Sequence, residues 1–166
     1  MKQLLLSICI SFSVYSYAQN LDDKYGDDVQ SIDAIINAYY DVISGTSTEP
    51  WEFERDKYIH SNNALIIKIN TEGDVDEHSL EAEYIPILST PREELYEREL
   101  NRVVHQYENM ALVWSTFERW VDEETPTDIR GLSSILLYYS DGRWWIASWI
   151  SQMETENPIP VDYLGY

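Results

Sequence analysis

The sequence predicts an α+β domain in which helices come first and a strongly curved antiparallel sheet follows. Apolar side chains recur at helical spacing over residues 32–43. Later, segments rich in β-branched and aromatic residues follow one another, as in a meandering sheet. The last two, RGLSSILLYYS and RWWIASWI, flank Asp141-Gly142, which supplies the positive φ angles of a tight hairpin turn. Helices followed by consecutive strands are typical of the α+β class, and the load of 13 Tyr and 6 Trp favours strong curvature around the first helix.

The first 18 residues have the organisation of a secretory signal peptide. Lys2 gives a basic start, residues 4–14 are mostly apolar, and Ser16-Tyr17-Ala18 is a small-x-small cleavage site. The apolar run is too short to span a bilayer, so the sequence predicts a periplasmic or secreted protein without membrane insertion after cleavage. The only cysteine, Cys9, lies in this segment, which leaves the mature chain without a disulfide or a thiol nucleophile.

The mature chain opens with a leader and two helices. Residues 19–30 are polar and acidic and are expected to form a flexible leader. Ser31 can cap a first helix that Gly45 ends. Residues 51–59 (WEFERDKYI) predict a second, shorter helix.

The strands follow. Residues 64–69 (ALIIKI) predict a strand, residues 71–78 are acidic and turn-like, and a helix is expected to start at Thr90-Pro91. Further strands are predicted over residues 99–107 and 110–121, with a loop over residues 123–127 before the hairpin. These elements place one domain over residues 31–152, and residues 153–166 form a C-terminal tail.

The hairpin turn predicts which side chains share a face. Tyr138 opposes Trp145, Leu136 opposes Ala147, and Ser134 opposes Trp149 if the register continues unbroken. Both faces are then apolar, so each must be covered. One face meets the helices and a cavity, and the other is available to a second copy of the chain, which predicts a homodimer. The pattern fits either assignment of the two faces.

Charge excludes some partners. The formal net charge is −19, and removal of residues 1–18 deletes Lys2 and no acid, which gives −20. Such a surface repels phosphate backbones and anionic head groups, so neither nucleic acid nor a membrane surface is an expected partner.

The order of these segments resembles a known family. SIDAIINAYYDVISG, NALIIKI, RELNRVVHQYENMALVWSTFE and RGLSSILLYYSDGRWWIASW follow one another as in the NTF2-like superfamily. They are most similar to its SnoaL-like and ketosteroid-isomerase-like branch, in particular to secreted bacterial members. The resemblance covers roughly residues 30–150. It implies a cone-shaped α+β fold with an internal pocket and frequent dimerisation, but no single function.

The catalytic groups of the isomerase branch are not found at matching positions. Hand alignment puts Lys68 where that branch has a carboxylate base and Ser134 where it has a second acid. The dehydratase-like branch uses histidines, which leaves His105, followed by His60, as weak catalytic candidates. No metal-binding spacing and no cofactor motif are present in the sequence.

Three functions remain open. The first is binding of a small, largely apolar ligand in the cone pocket, the second is SnoaL-like proton-transfer chemistry, and the third is a structural or accessory dimerisation module. Arg130 or Arg102 is a candidate to clamp a carboxylate-bearing ligand. The residues predicted to line the pocket are Tyr39, Tyr40, Ser134, Tyr138, Trp145, Trp149, Arg130 and Arg102.

Overall fold

The computed structural model describes residues 21–121 and 129–165, apart from the side chains of residues 87–89. The predicted signal peptide and the predicted loop over residues 123–127 lie outside the described residues.

Helix α1 (Ile32–Ile43) begins where the sequence predicts. The Ser31 Oγ accepts a hydrogen bond from the Ala34 amide at 3.1 Å, which confirms the cap. The Ser44 amide closes the helix on the Tyr40 carbonyl. Gly45, at a φ of 152°, bridges to Leu95 instead of capping α1. Helix α2 (Phe53–Ile59) follows. None of the helices in the described parts of the chain is long and apolar enough to cross a membrane.

The expected flexible leader is wrong for residues 21–30. Residues 21–25 are helical and Gly26–Val29 forms a 3-10 helix. Val29 is fully buried, and Asp28 forms a two-bond ion pair with Arg55 of α2. Within this acidic segment, the side chains of Tyr25 and Val29 are buried. They are four residues apart in sequence, which is about one helical turn.

The helix expected at Thr90 lies earlier in the chain. Helix α3 (Leu80–Ser89) begins at Ser79, whose Oγ accepts a hydrogen bond from the Ala82 amide at 3.3 Å. Thr90 is its C-cap, so Pro91 follows a helix instead of starting one. Residues 71–74 form the expected turn, but Val75–Ser79 is a strand.

A curved sheet of six strands in the described residues carries the fold. In chain order the strands are β1 (His60–Ile69), β2 (Val75–Ser79), β3 (Tyr96–Tyr107), β4 (Met110–Trp120), β5 (Arg130–Ser140) and β6 (Arg143–Met153). Their order across the sheet is β2-β1-β6-β5-β4-β3. Neighbours are antiparallel except β1 and β6, which are parallel. The expected antiparallel meander is thus confirmed from β3 to β6.

A bulge corrects the predicted register of the hairpin. Asp141 and Gly142 take positive φ angles of 55° and 82°, and Tyr138 opposes Trp145 as predicted. The register then shifts at Leu136/Leu137, so that Leu136 opposes Ser148 and not Ala147. Because β6 has one extra residue at this point, every later side chain of β6 lies on the opposite face of the sheet from the one predicted. Trp149 therefore opposes Ile135, and Ser134 opposes Ile150.

The core lies between the inner face of the sheet and α1. This inner face is buried, and the outer face is half-buried or exposed. Fully buried side chains of the core include Ile35, Ile36, Ile66, Val113, Phe117, Ile135 and Ile146.

The C-terminal tail packs against the edge of the sheet. Its backbone carbonyl at Tyr163 accepts hydrogen bonds from Thr116 at 2.6 Å and from Asn101 at 3.1 Å.

Candidate functional site

A cavity of about 460 Å³ lies between the inner face of the sheet and helices α1, α2 and α3. Most of its lining is apolar. Six aromatic side chains of the described residues line it: Tyr39, Trp51, Phe53, Tyr84, Phe117 and Trp149. A concave, largely apolar cavity with a few polar groups is typical of small-molecule sites.

The structure brings only two of the predicted pocket residues to this cavity. Tyr39 of α1 and Trp149 of β6 both line it, and their rings meet edge to face at 5.9 Å between centroids. Ser134, Tyr138 and Trp145 lie on the outer face. The prediction that these three share a pocket with Trp149 is wrong because the bulge in β6 turns Trp149 to the inner face.

Tyr40 points to a different part of the core. Its hydroxyl donates to Ser115 Oγ at 2.8 Å, since the Ser115 hydroxyl itself donates to Glu99 at 2.5 Å. Burial raises the pKa of Tyr40 well above its usual value. Tyr40 therefore belongs to a polar network beneath the sheet and does not line the main cavity.

The two arginines predicted to clamp a carboxylate are occupied elsewhere. Arg102 binds Asp33 at 2.8 Å, Asn37 at 2.7 Å and Glu99. Arg130 binds Glu154 at 2.8 Å. Neither lines the cavity.

A hydrogen-bonded group of His60, Asp56 and Tyr84 forms part of the cavity wall. The His60 Nδ1 lies 2.9 Å from the Asp56 backbone carbonyl oxygen and 3.2 Å from its carboxylate. The Tyr84 hydroxyl donates to the other carboxylate oxygen at 2.7 Å. Burial opposes ionisation of Asp56, but its interaction with His60 and the hydrogen bond from Tyr84 lower its pKa.

His60 has one nitrogen that no described residue engages. Its side chain is 2% exposed, and Nε2 is buried without a hydrogen-bond partner among the described residues. In the neutral tautomer whose proton is on Nδ1, Nε2 is an acceptor, and it has no appreciable surface open to the cavity. His105, the first histidine candidate from sequence, is instead an exposed residue of β3 that does not line the cavity.

Glu97 of β3 is a site residue that the sequence analysis missed. Its carboxylate lines the cavity with the side chain 12% exposed, and the Arg119 Nε lies 3.9 Å from it. Burial raises the pKa of Glu97 to about 7, with Arg119 and Lys68 opposing the shift. The predicted strand began at Glu99, so Glu97 fell outside it. The sequence did contain one signal for Glu97 as a site residue, because this acid stands two residues after Leu95, which also lines the cavity.

A second charged group lies at the cavity wall formed by β1, β2 and α3. Lys68 Nζ lies 2.5 Å from Glu83, which also bonds His78. The His78 Nδ1 in turn lies 3.2 Å from Asp76. Across the described residues, no cluster of three or more His, Cys, Asp or Glu has the arrangement of a metal site.

Comparisons with known proteins show what this architecture is. No protein-family model matches the chain, and no curated protein sequence matches it. An NTF2-like protein of unknown function from Shewanella baltica OS155 matches its structure with a TM-score of 0.51 and 11% identity, over 72% of this chain and 88% of that one. A candidate ketosteroid isomerase from Parabacteroides distasonis ATCC 8503 matches with a TM-score of 0.51 and 12% identity, over 75% and 89%. The CaMKII hub of S. rosetta matches with a TM-score of 0.53 and 9% identity, over 72% and 94%.

The fold is therefore the NTF2-like cone, which confirms the fold that the sequence resemblance implied. At these identities the likeness shows the fold and nothing finer. Function has to be argued from the site.

Proposed function

We propose that this protein binds a small, largely apolar ligand in the cone cavity, outside the cytoplasm. The observation that carries the proposal is the cavity itself, about 460 Å³ with six aromatic side chains in its wall. A core that served only to hold the fold would be filled by side chains. Location outside the cytoplasm is supported by the signal-peptide pattern of residues 1–18.

Trp149→Ala tests this proposal. The variant removes part of the cavity wall and should weaken binding of 4-phenylbutan-1-ol, a neutral aromatic probe, by about 1–3 kcal/mol. The measurement is isothermal titration calorimetry. Trp145→Ala is the matched control, because Trp145 lies on the outer face against Arg143. Equal losses in the two variants, or no binding to the wild type, would overturn the proposal.

Proton-transfer chemistry is the second candidate, and a specific observation favours it. Glu97 has a pKa of about 7, the value that suits a general acid or base at neutral pH. His60, whose Nδ1 is held by Asp56, supplies a second group in the lining of the same cavity. A carboxyl group that takes a proton from carbon and an imidazole that binds the developing oxyanion are the elements of such a site. In that role, His60 would have to be protonated at Nε2 and to turn this nitrogen, which is fully buried here, toward the ligand.

Hydrogen–deuterium exchange tests this second candidate. In D₂O, an acid–base site would exchange the carbon-bound protons beside the carbonyl of 2-tetralone, an aromatic ketone, which NMR detects. We expect Glu97→Gln to lower the exchange rate at least a hundredfold, whereas the exposed His105→Ala leaves it unchanged. Exchange no faster with the wild type than with Glu97→Gln would leave ligand binding as the function.

The outer face of the sheet supports a homodimer as the assembly. Leu136, Tyr138 and Ile150 are 47%, 36% and 38% exposed on neighbouring strands. Apolar side chains clustered on a sheet face are typical of subunit interfaces. Dimerisation also accommodates the third function, an accessory module, since the outer face is on the opposite side of the sheet from the cavity.

A further inference from the structure

Acidic side chains outnumber basic ones around the cavity. Among the described residues, two strong bases line it, Lys68 and Arg119. Six carboxylates line it: Glu52, Asp56, Asp74, Asp76, Glu83 and Glu97. The cavity therefore has an excess of negative charge, and its low-dielectric aromatic walls strengthen the field of that charge inside.

Both strong bases already face a carboxylate. Lys68 binds Glu83 at 2.5 Å, and Arg119 lies 3.9 Å from Glu97. A ligand carboxylate would have to compete with these acids for its counter-charge. Since Arg102 and Arg130 are also occupied outside the cavity, the lining favours a cation over an anion.

The aromatic side chains complete a setting for a cation. Ring faces attract ammonium groups, and the attraction grows when water is excluded. Lys68 illustrates this in the same wall, since its Nζ lies 5.9 Å from the Trp149 ring. Six aromatic rings also provide the apolar contact that a hydrocarbon skeleton needs.

We propose that the ligand of this cavity is a lipophilic amine bound in its protonated form, with Glu97 as the group that recognises its ammonium. The proposal rests on the proposed binding function and names the ligand class. Glu97 is assigned this role because it lines the cavity with only 12% of its side chain exposed. The titratable and charged groups that act on it are Arg119 from β4, Lys68 from β1, and the hydroxyls of Tyr39 and Tyr40 from α1.

Three probes with one skeleton test the proposal. 4-Phenylbutylamine, 4-phenylbutan-1-ol and 4-phenylbutyrate differ chiefly in charge. Calorimetry at pH 8 and 0.15 M NaCl, which screens the long-range field of the whole protein, should give an affinity for the amine at least tenfold above that for the alcohol. The carboxylate should bind more weakly than the alcohol.

Two glutamate variants assign the effect to the cavity. Glu97→Gln should lower the affinity for the amine about tenfold and leave that for the alcohol within threefold. Glu77→Gln removes the same charge from an exposed position of β2 outside the lining, and should change neither. A thermal melt checks that each variant is folded.

Proton release gives an independent readout on the wild type. A bound ammonium lowers the pKa of Glu97, which near pH 7 is partly protonated. Amine binding at pH 7 should therefore release protons, detected as a binding heat that depends on the ionisation enthalpy of the buffer. The alcohol should release none.

The outcomes separate the two proposals. If the alcohol binds but the amine binds no more tightly, or if the carboxylate binds as well as the amine, the ligand class is wrong and the binding function stands. An amine preference that Glu97→Gln leaves intact also overturns the assignment to Glu97. If none of the three probes binds, the proposed binding function itself fails.

Discussion

The contribution of Glu97 to the stability of this protein falls as pH rises, the reverse of the effect of an ordinary ion-paired carboxylate. Burial raises its pKa from 4.5 to about 7. Between these values the folded state keeps a proton that the unfolded chain has released, so the folded state binds more protons. Stability then decreases with pH. The stabilisation is fully present below the pKa that Glu97 has in the unfolded chain. It is lost once the pH rises above the pKa that Glu97 has in the folded state.

The magnitude follows from the two pKa values. The shift from 4.5 to about 7 corresponds to about 3 kcal/mol in total, at roughly 1.4 kcal/mol for each tenfold change in proton affinity. At pH 5 the folded state has already lost part of this free energy. The free energy of unfolding is therefore expected to fall by about 2.5 kcal/mol between pH 5 and pH 8 through Glu97. Only 12% of the Glu97 side chain is exposed, so solvent screens the effect little.

Urea unfolding of the wild type and Glu97→Gln, each at pH 5, 6, 7 and 8, measures this cost. Glutamine does not titrate, so the free energy of unfolding of the variant should rise relative to the wild type by about 2.5 kcal/mol across the range. The control Glu77→Gln should show no such trend, because Glu77 is exposed. A difference between Glu97→Gln and wild type that is independent of pH would refute the argument.

Three further outcomes follow from local packing and surface. Gly131→Ala should destabilise the fold by about 1–3 kcal/mol in urea unfolding, because the new Cβ would lie 2.3 Å from the Phe117 ring; an unchanged midpoint would mean that β4 and β5 are not packed this closely. Ser31→Ala removes the cap of α1 and should cost about 1 kcal/mol, whereas Ser31→Asp should cost far less. Light scattering of the purified protein should give twice the monomer mass and Leu136→Lys should give a monomer; a wild-type monomer at all concentrations would remove the dimer.

Local signals in the sequence were sufficient for the elements with strong boundaries. Ser31 as a cap and Asp141-Gly142 as a turn each depend on a few adjacent residues, and both are confirmed. The bulge at Leu136/Leu137 could not be predicted, because an inserted residue is visible only when polar and apolar positions alternate. This hairpin is apolar on both faces, so the displacement of Trp149 to the inner face left no trace in the pattern.

The site was predicted in part. Tyr39 and Trp149 were named from sequence, and the structure places both in the cavity. Asp56 and His60 stand four residues apart at a helix end, which is a readable signal for a side-chain pair. The prediction of Glu97 as a site residue depended on where β3 begins, and a sequence pattern defines the ends of a strand less well than its middle. The approach of Tyr84 to Asp56 depends on α3, which was expected at Thr90, so no local signal linked the two.

The claim that the inner cavity is the ligand site is tested most directly by two substitutions at adjacent positions. Ser133 is buried and lines the cavity, whereas Ser134 lies on the outer face of the same strand. Ser133→Phe should fill the cavity and lower the affinity for 4-phenylbutan-1-ol at least tenfold in calorimetry, and Ser134→Phe should leave it unchanged. Undiminished binding to folded Ser133→Phe, or an equal loss in both variants, would place the ligand elsewhere.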